Sequence, residues 1–158
     1  MSLLCWNCHG LGNPLTIQEL GDIVRAQDPA VVFLAKIWLD EARLLELRNK
    51  LGFGATFGVS RVTRGEGLAL FWKKYVELSV ENSSLNYIDA IINKGRENSW
   101  RFIGFYGFPE TQNHLESWNK LRWLHQKFSL PWICAGDFNE ILKSHEKLGG
   151  KPRPNGQM

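Results

Sequence analysis

No stretch of the 158-residue sequence stays apolar over the ~20 positions that a membrane-crossing helix requires. The first residues carry no basic segment followed by a long apolar one, so no secretory leader is expected. Cysteine is scarce, with only Cys5, Cys8 and Cys134, and an odd count with one long gap argues against a disulfide framework. Cys5 and Cys8 have C-x-x-C spacing, which leaves a redox pair open. A zinc site would have to recruit His9 and Cys134, a poor ligand set, and small buried residues on strands are the preferred reading. Neither sign of charge dominates: 19 Lys and Arg face 16 Asp and Glu, for a net charge of +3. That balance permits a polyanionic partner without requiring one. Internal repeats and low-complexity tracts are also lacking. A soluble intracellular protein of the nucleus or cytoplasm, with no membrane partner, is the expectation.

What is present fits one globular domain. Hydrophobic residues make up 44% of the chain and charged residues 22%, enough for a substantial core. Seven Trp and nine Phe predict a thick aromatic core or a surface that awaits a partner.

"LLCWN" reads as a short buried strand that stops before Gly10 and Gly12. "NPLTIQELGDIVRAQDP" reads as a helix. Asn13 is its cap, Pro14 its first residue, Ile17, Leu20 and Val24 its apolar face, and Asp28-Pro29 its stop. "AVVFLAKIWL" is a second buried strand, and "DEARLLELRNKLG" is a helix with acids first, bases last and Gly52 beyond. This β-α-β-α opening predicts a layered α/β domain.

The middle is strand-rich. "GATFGVSRV", "GLALFWKK", "VELSVENS", "YIDAIINK" and "WRFIGFYGF" suggest an antiparallel meander. A third helix is expected over about residues 111–128, with Asn113 and Glu116 as a capping box. Leu115, Trp118, Leu121, Trp123, His125 and Phe128 are its expected apolar side. "PWICAGDF" is the last strand, so the ordered domain is expected over residues 1–142 and a polar loop or disordered tail over residues 143–158.

Polar residues leave the apolar runs at Asn7, Tyr106, Asp137 and Asn139. A turn is the plain explanation of the last pair, since short Asp and Asn side chains bond nearby backbone. In layered α/β folds, however, chemistry gathers at one end of the strands. Cleaving a phosphodiester needs charge neutralisation, a base for water and an acid for the leaving oxygen, and a hard cation such as magnesium takes oxygen ligands. Asp137 suits a base or a metal ligand. Asn7 and Asn139 suit a metal or a phosphate, and Tyr106 can donate to a phosphate oxygen.

"LLCWNCHGLGNPLTIQEL", "VVFLAKIWLDEARL", "FIGFYGFPE" and "CAGDFNEIL…EKLGG" together resemble the endonuclease/exonuclease/phosphatase superfamily. They are most similar to the endonuclease domain of plant LINE-type (non-LTR) retrotransposons. The resemblance implies a four-layered α/β sandwich, with two facing sheets flanked by helices, of which this chain would be an incomplete N-terminal part. It also implies magnesium as cofactor, DNA as partner and nicking as activity. In that likeness Asn7 is the N-terminal metal-site residue, Tyr106 contacts phosphate, and Asp137 with Asn139 aligns water and stabilises the transition state.

Two departures accompany the likeness. The family's metal-binding Glu is replaced by Lys36, whose ammonium repels a cation, while Asp40 and Glu41 read as helix-start acids. The sequence also ends before the family's later Asp and Ser-Asp-His stretch, and His9, His114, His125 and His145 lie in the wrong motifs to replace its His. Little or no activity is therefore expected. An inner sheet face is expected to lie uncovered, open to self-association. A non-catalytic nucleic-acid-binding or protein-interaction module is the alternative, with Lys36, Lys73, Lys74 and Arg101 as phosphate contacts. A decayed reading frame is another. Phosphatase, phosphoinositide or RNA chemistry also occurs in the superfamily.

Overall fold

The computed structural model describes residues 1–8, 10–38, 40–60, 67–106, 114–126 and 129–137. The expected cap at Asn113 and the expected tail lie outside them. The described residues form β1 (Leu3–Asn7), α1 (Pro14–Gln27), β2 (Val31–Ala35), α2 (Glu41–Leu51), β3 (Ala55–Ser60), β4 (Gly67–Trp72), β5 (Leu78–Ser83), β6 (Tyr87–Ile92), β7 (Trp100–Tyr106), α3 (His114–Gln126) and β8 (Trp132–Asp137). The strands make two four-stranded sheets, in the orders β1-β2-β4-β3 and β5-β6-β7-β8.

Local chemistry sets the first two helices. The Asn13 side chain accepts from the Leu15 N–H at 2.9 Å, Pro14 opens α1, and Asp28 closes it in the left-handed region. Asp40 accepts from the Arg43 N–H at 2.9 Å to start α2, and Gly52 ends it at φ 80°. Leu20, Val24, Leu44 and Leu47 of these helices pack with Val32, Leu34, Ala69 and Phe71 of the first sheet. β2 is buried at every residue, as a strand between two neighbours with both faces covered must be.

The other face of the first sheet meets the second. Phe33 of β2 and Phe102 of β7 pack edge to face, with ring centroids 6.3 Å apart. Gly104 makes room for this: a Cβ there would lie 2.3 Å from the Phe33 ring. Phe33, Leu68, Leu70, Ile88, Ala90 and Phe102 are all essentially solvent-free. The inner face, expected to lie uncovered, is thus covered along β2, β4, β6 and β7 by the facing sheet of this same chain, whereas the edge strands β1 and β8 keep part of their surface open.

The middle strands do not form one meander. β3 and β4 are a hairpin of the first sheet, with β4 also antiparallel to β2, while β5, β6 and β7 form the antiparallel part of the second. β7 and β8 run parallel: the Arg101 N–H donates to Pro131 O at 2.8 Å at one end, and Gly136 abuts Phe105 at the other.

Contacts divide the chain into two units, Met1–Phe105 with Leu130–Gly136, and Tyr106–Ser129 with Asp137–Met158. In the second, α3 buries Ser117, Leu121 and Leu124, a stripe at i, i+4 and i+7. Leu115, Trp123 and His125, expected on the apolar side, are exposed. The sequence pattern follows the large apolar residues, but helical spacing decides which side is covered, and it selects a serine over two tryptophans.

Candidate functional site

The site is built from the ends of strands. β1 and β2 run parallel, with Asn7 opposite Ala35, so Asn7 and Lys36 occupy adjoining C-terminal ends of one sheet. The loops that follow are laced together. Cys8 N–H donates to Ala35 O at 3.1 Å, Gly10 N–H to Lys36 O at 2.6 Å, and Leu11 N–H to Ile37 O at 2.9 Å. Ile37 N–H in turn reaches Gly67 O at the start of β4.

This lacing holds an unusual backbone. Lys36 and Trp38 both have positive φ, 56° and 51°, on either side of buried Ile37. A left-handed conformation costs a residue with a side chain roughly 1–2 kcal/mol, and such costs concentrate at sites where geometry matters. Trp38 is 53% exposed, and its ring packs against Gly10, where a Cβ would come within 3.3 Å of the nearest indole carbon. Trp38 is a residue that sequence reasoning misses. No spacing or motif separates it from the other six tryptophans.

Cys8 is part of the lacing. Its thiol donates to Ala35 O at 3.1 Å and lies 3.6 Å from Lys36 O. Burial pushes the Cys5 and Cys8 thiols up to about 11 and Cys134 up to about 12. Neutral thiols are poor metal ligands and poor nucleophiles, which disfavours the redox reading of the C-x-x-C pair.

Tyr106 ends β7 and is buried, and Asp137 ends β8, the neighbouring strand of the second sheet. The side chain of Asp137 and the whole of Asn139 lie outside the described residues. Gly136, just before Asp137, has φ 142°, and a Cβ there would sit 1.9 Å from Phe105 O. The glycine of "AGD" is thus required by the close approach of β7.

The described donors do not suit magnesium. Asn7 offers one amide oxygen, and its neighbour at the next strand end is a lysine rather than a carboxylate. No group of three or more His, Cys, Asp or Glu able to hold a metal occurs among the described residues. The expected phosphate-contacting cations do not share one end either. β4 is antiparallel to β2, so Lys73 and Lys74 follow the end of β4 opposite to Lys36. Lys73 lies 3.4 Å from the Asp28 carboxylate and over the Phe53 ring. Arg101 is 1% exposed and bound to Asp89.

The family model described as "Endonuclease/Exonuclease/phosphatase family" matches residues 4–156. No curated protein matches the chain. Among solved structures, the endonuclease domain of TRAS1, a telomere-specific non-LTR retrotransposon, is 15% identical with a TM-score of 0.61 over 88% of this chain and 59% of that one. A humanized D. rerio TDP2 is 22% identical, with a TM-score of 0.65 over 92% of this chain and 68% of that one. The 3′ phosphatase NExo from Neisseria, bound to a product DNA hairpin, is 14% identical, with a TM-score of 0.65 over 89% and 58%. These likenesses establish the fold. The chain spans about three-fifths of the length of the retrotransposon endonuclease.

Proposed function

The chain belongs to the endonuclease/exonuclease/phosphatase family, and we propose that it is part of a LINE-type retrotransposon endonuclease domain that binds DNA and has lost its hydrolytic chemistry. The observation that carries this reading is Lys36 at the end of β2 beside Asn7. A dication needs a carboxylate there, and an ammonium repels it. The same ammonium attracts a phosphate, so the cation of the side chain takes over the electrostatic work of holding the DNA backbone without performing hydrolysis.

Asn7 then contributes an amide to the phosphate. Asp137 and Asn139 remain as the relic of the water-aligning pair. The retrotransposon endonuclease and the DNA-bound phosphatase among the fold's relatives favour nucleic acid over other phosphate esters. No described helix is long and apolar enough to cross a membrane.

The test compares the chain with its Asp137→Ala and Lys36→Glu variants on supercoiled plasmid with magnesium, and measures DNA affinity against salt with and without magnesium. The expected result is no nicking by the parent, and a salt-dependent affinity that magnesium does not enhance. Nicking by the parent that Asp137→Ala abolishes would show a working site and overturn the proposal.

A further inference from the structure

α1 and α2 both cover the outer face of the first sheet, and two cavities of about 260 and 280 Å³ open between them. The cavities share Ile17 of α1 and Lys50 of α2, so they form one groove. Pro14, Ile17, Gly21 and Arg25 line its α1 side. Their spacing keeps one face of the helix along about 17 Å. Arg43, Leu47 and Lys50 do the same on α2. The floor is apolar. Leu11 and Leu47 belong to the core beneath, while Ile17 and Leu51 pack against that core only partly buried and leave aliphatic surface in the groove.

The rim is cationic. Arg25, Arg43 and Lys50 stand on it, with Glu46 the one carboxylate among its described lining residues. Arg25 pairs with Asp22 and folds across Gly21, where a Cβ would lie 3.4 Å from Nη1. Arg43 and Lys50 flank Glu46 at the i, i+3 and i, i+4 spacings that suit helical ion pairs. Neither pairs with it, or with any other carboxylate among the described residues. Unpaired cations above an apolar floor indicate the ligand. A nucleic-acid backbone would use the cations but has nothing for the floor. A peptide with apolar side chains beside carboxylates uses both, and a groove between two helices suits a third helix. We propose that the groove between α1 and α2 is a docking site for an acidic amphipathic helix of a partner protein. Its apolar side chains rest on Leu11, Ile17 and Leu47, and its carboxylates face Arg43 and Lys50. This site is separate from the strand ends and does not depend on the DNA-binding reading above.

The experiment selects a display library of random peptides, each about 12 residues long to match the groove as a helix, against the folded parent chain. Enriched peptides are then labelled and titrated with the parent and its variants by fluorescence anisotropy. The enriched sequences are expected to place Leu, Ile or Phe at helical spacing beside Glu or Asp. Replacing one anchoring Leu of such a peptide by Ala should weaken binding roughly 10- to 150-fold. Arg43→Glu and Lys50→Glu turn attraction into repulsion and should each weaken it about 2- to 30-fold. Lys74→Glu makes the same charge change outside the groove and should stay within about twofold. A Cβ on Gly12 meets nothing within 4 Å, so the ring of Gly12→Phe has room to fill the groove and should weaken binding at least about tenfold. Thermal unfolding confirms an intact fold, and the two charge reversals, at exposed helix positions, decide the matter if Gly12→Phe does not fold. No enrichment, or enriched peptides indifferent to both charge reversals, would overturn the proposal. Loss of oligonucleotide affinity in Arg43→Glu and Lys50→Glu with peptide binding unchanged would assign the cations to DNA and overturn it as well.

Discussion

Asp89 of β6 and Arg101 of β7 form a two-armed ion pair, with Arg101 Nε donating to Oδ1 and Nη2 to Oδ2, each at 2.7 Å, and neither side chain reaches solvent. The two residues are diagonal neighbours on one face of the second sheet, since Asp89 is opposite Ile103 and Arg101 opposite Ile91. Removing one partner strands the other charge in a dry interior. Asp89→Ala is expected to cost about 3–5 kcal/mol in urea unfolding. Replacing both residues together by apolar ones of similar volume should recover most of that loss. Additive losses in the double variant would mean that the pair is not the unit that matters.

The three thiols make stability depend on high pH. A thiol whose value is raised by burial is held protonated in the folded chain, while the unfolded chain lets it ionise near the ordinary 9.0. Between about 9 and 11 the folded state therefore binds more protons than the unfolded state, and stability falls as pH rises. Below 9 the contribution is fully present. Tyr87, raised chiefly by burial and next by the Asp89 carboxylate, acts in the same direction. Urea midpoints taken from pH 8 to 10.5 should decline, and Cys8→Ala should make the decline shallower. A flat profile would mean that the thiols are not buried as described.

The signals that were legible in the sequence are local. Asn13-Pro14, Asp40 and Gly52 mark helix ends through contacts within a few residues, and the structure places those ends there. The apolar runs of β1 and β2 are equally plain. What was not legible depends on distant partners. β4, β6 and β7 are all strongly apolar although β4 joins one sheet and β6 and β7 the other, so nothing within the strands says that β3 and β4 join β2 while β5 starts another sheet. Gly104 looks like a weak point in a strand until Phe33 is seen above it. Arg101 reads as a surface cation, and only the register of β6 against β7 brings Asp89 to it. At the site, Asn7 and Lys36 were legible as strand ends, whereas the contact of Trp38 with Gly10 was not, because it depends on how the loop after β1 meets the loop after β2.

Lys36 offers a separation of charge from backbone strain. Its φ of 56° suits glycine better than lysine. Lys36→Gly relieves the left-handed cost but also frees the unfolded chain, so a net gain of about 0.5–1 kcal/mol is expected. Lys36→Met removes the charge and keeps the strain, so it should lack that gain. Both variants should lose DNA affinity alike if the ammonium binds phosphate. A loss confined to Lys36→Gly would assign the effect to the loop conformation instead.

Gly136 supplies the sharpest test of the strand pairing beside the site. An added Cβ would sit 1.9 Å from Phe105 O, a backbone atom that cannot swing aside as a side chain would. Either β8 moves away from β7 or the substitution is not accommodated. Gly52 is the control: its φ is also positive, 80°, but a Cβ there meets nothing within 4 Å. Gly52→Ala should therefore cost only the backbone term, about 1 kcal/mol. Gly136→Ala should cost at least about 3 kcal/mol, or prevent folding, because overpacking against backbone adds to the strained φ. Similar losses in the two variants by urea denaturation would mean that β7 and β8 are not in close register at Phe105. The requirement for glycine before Asp137 would then need a different cause.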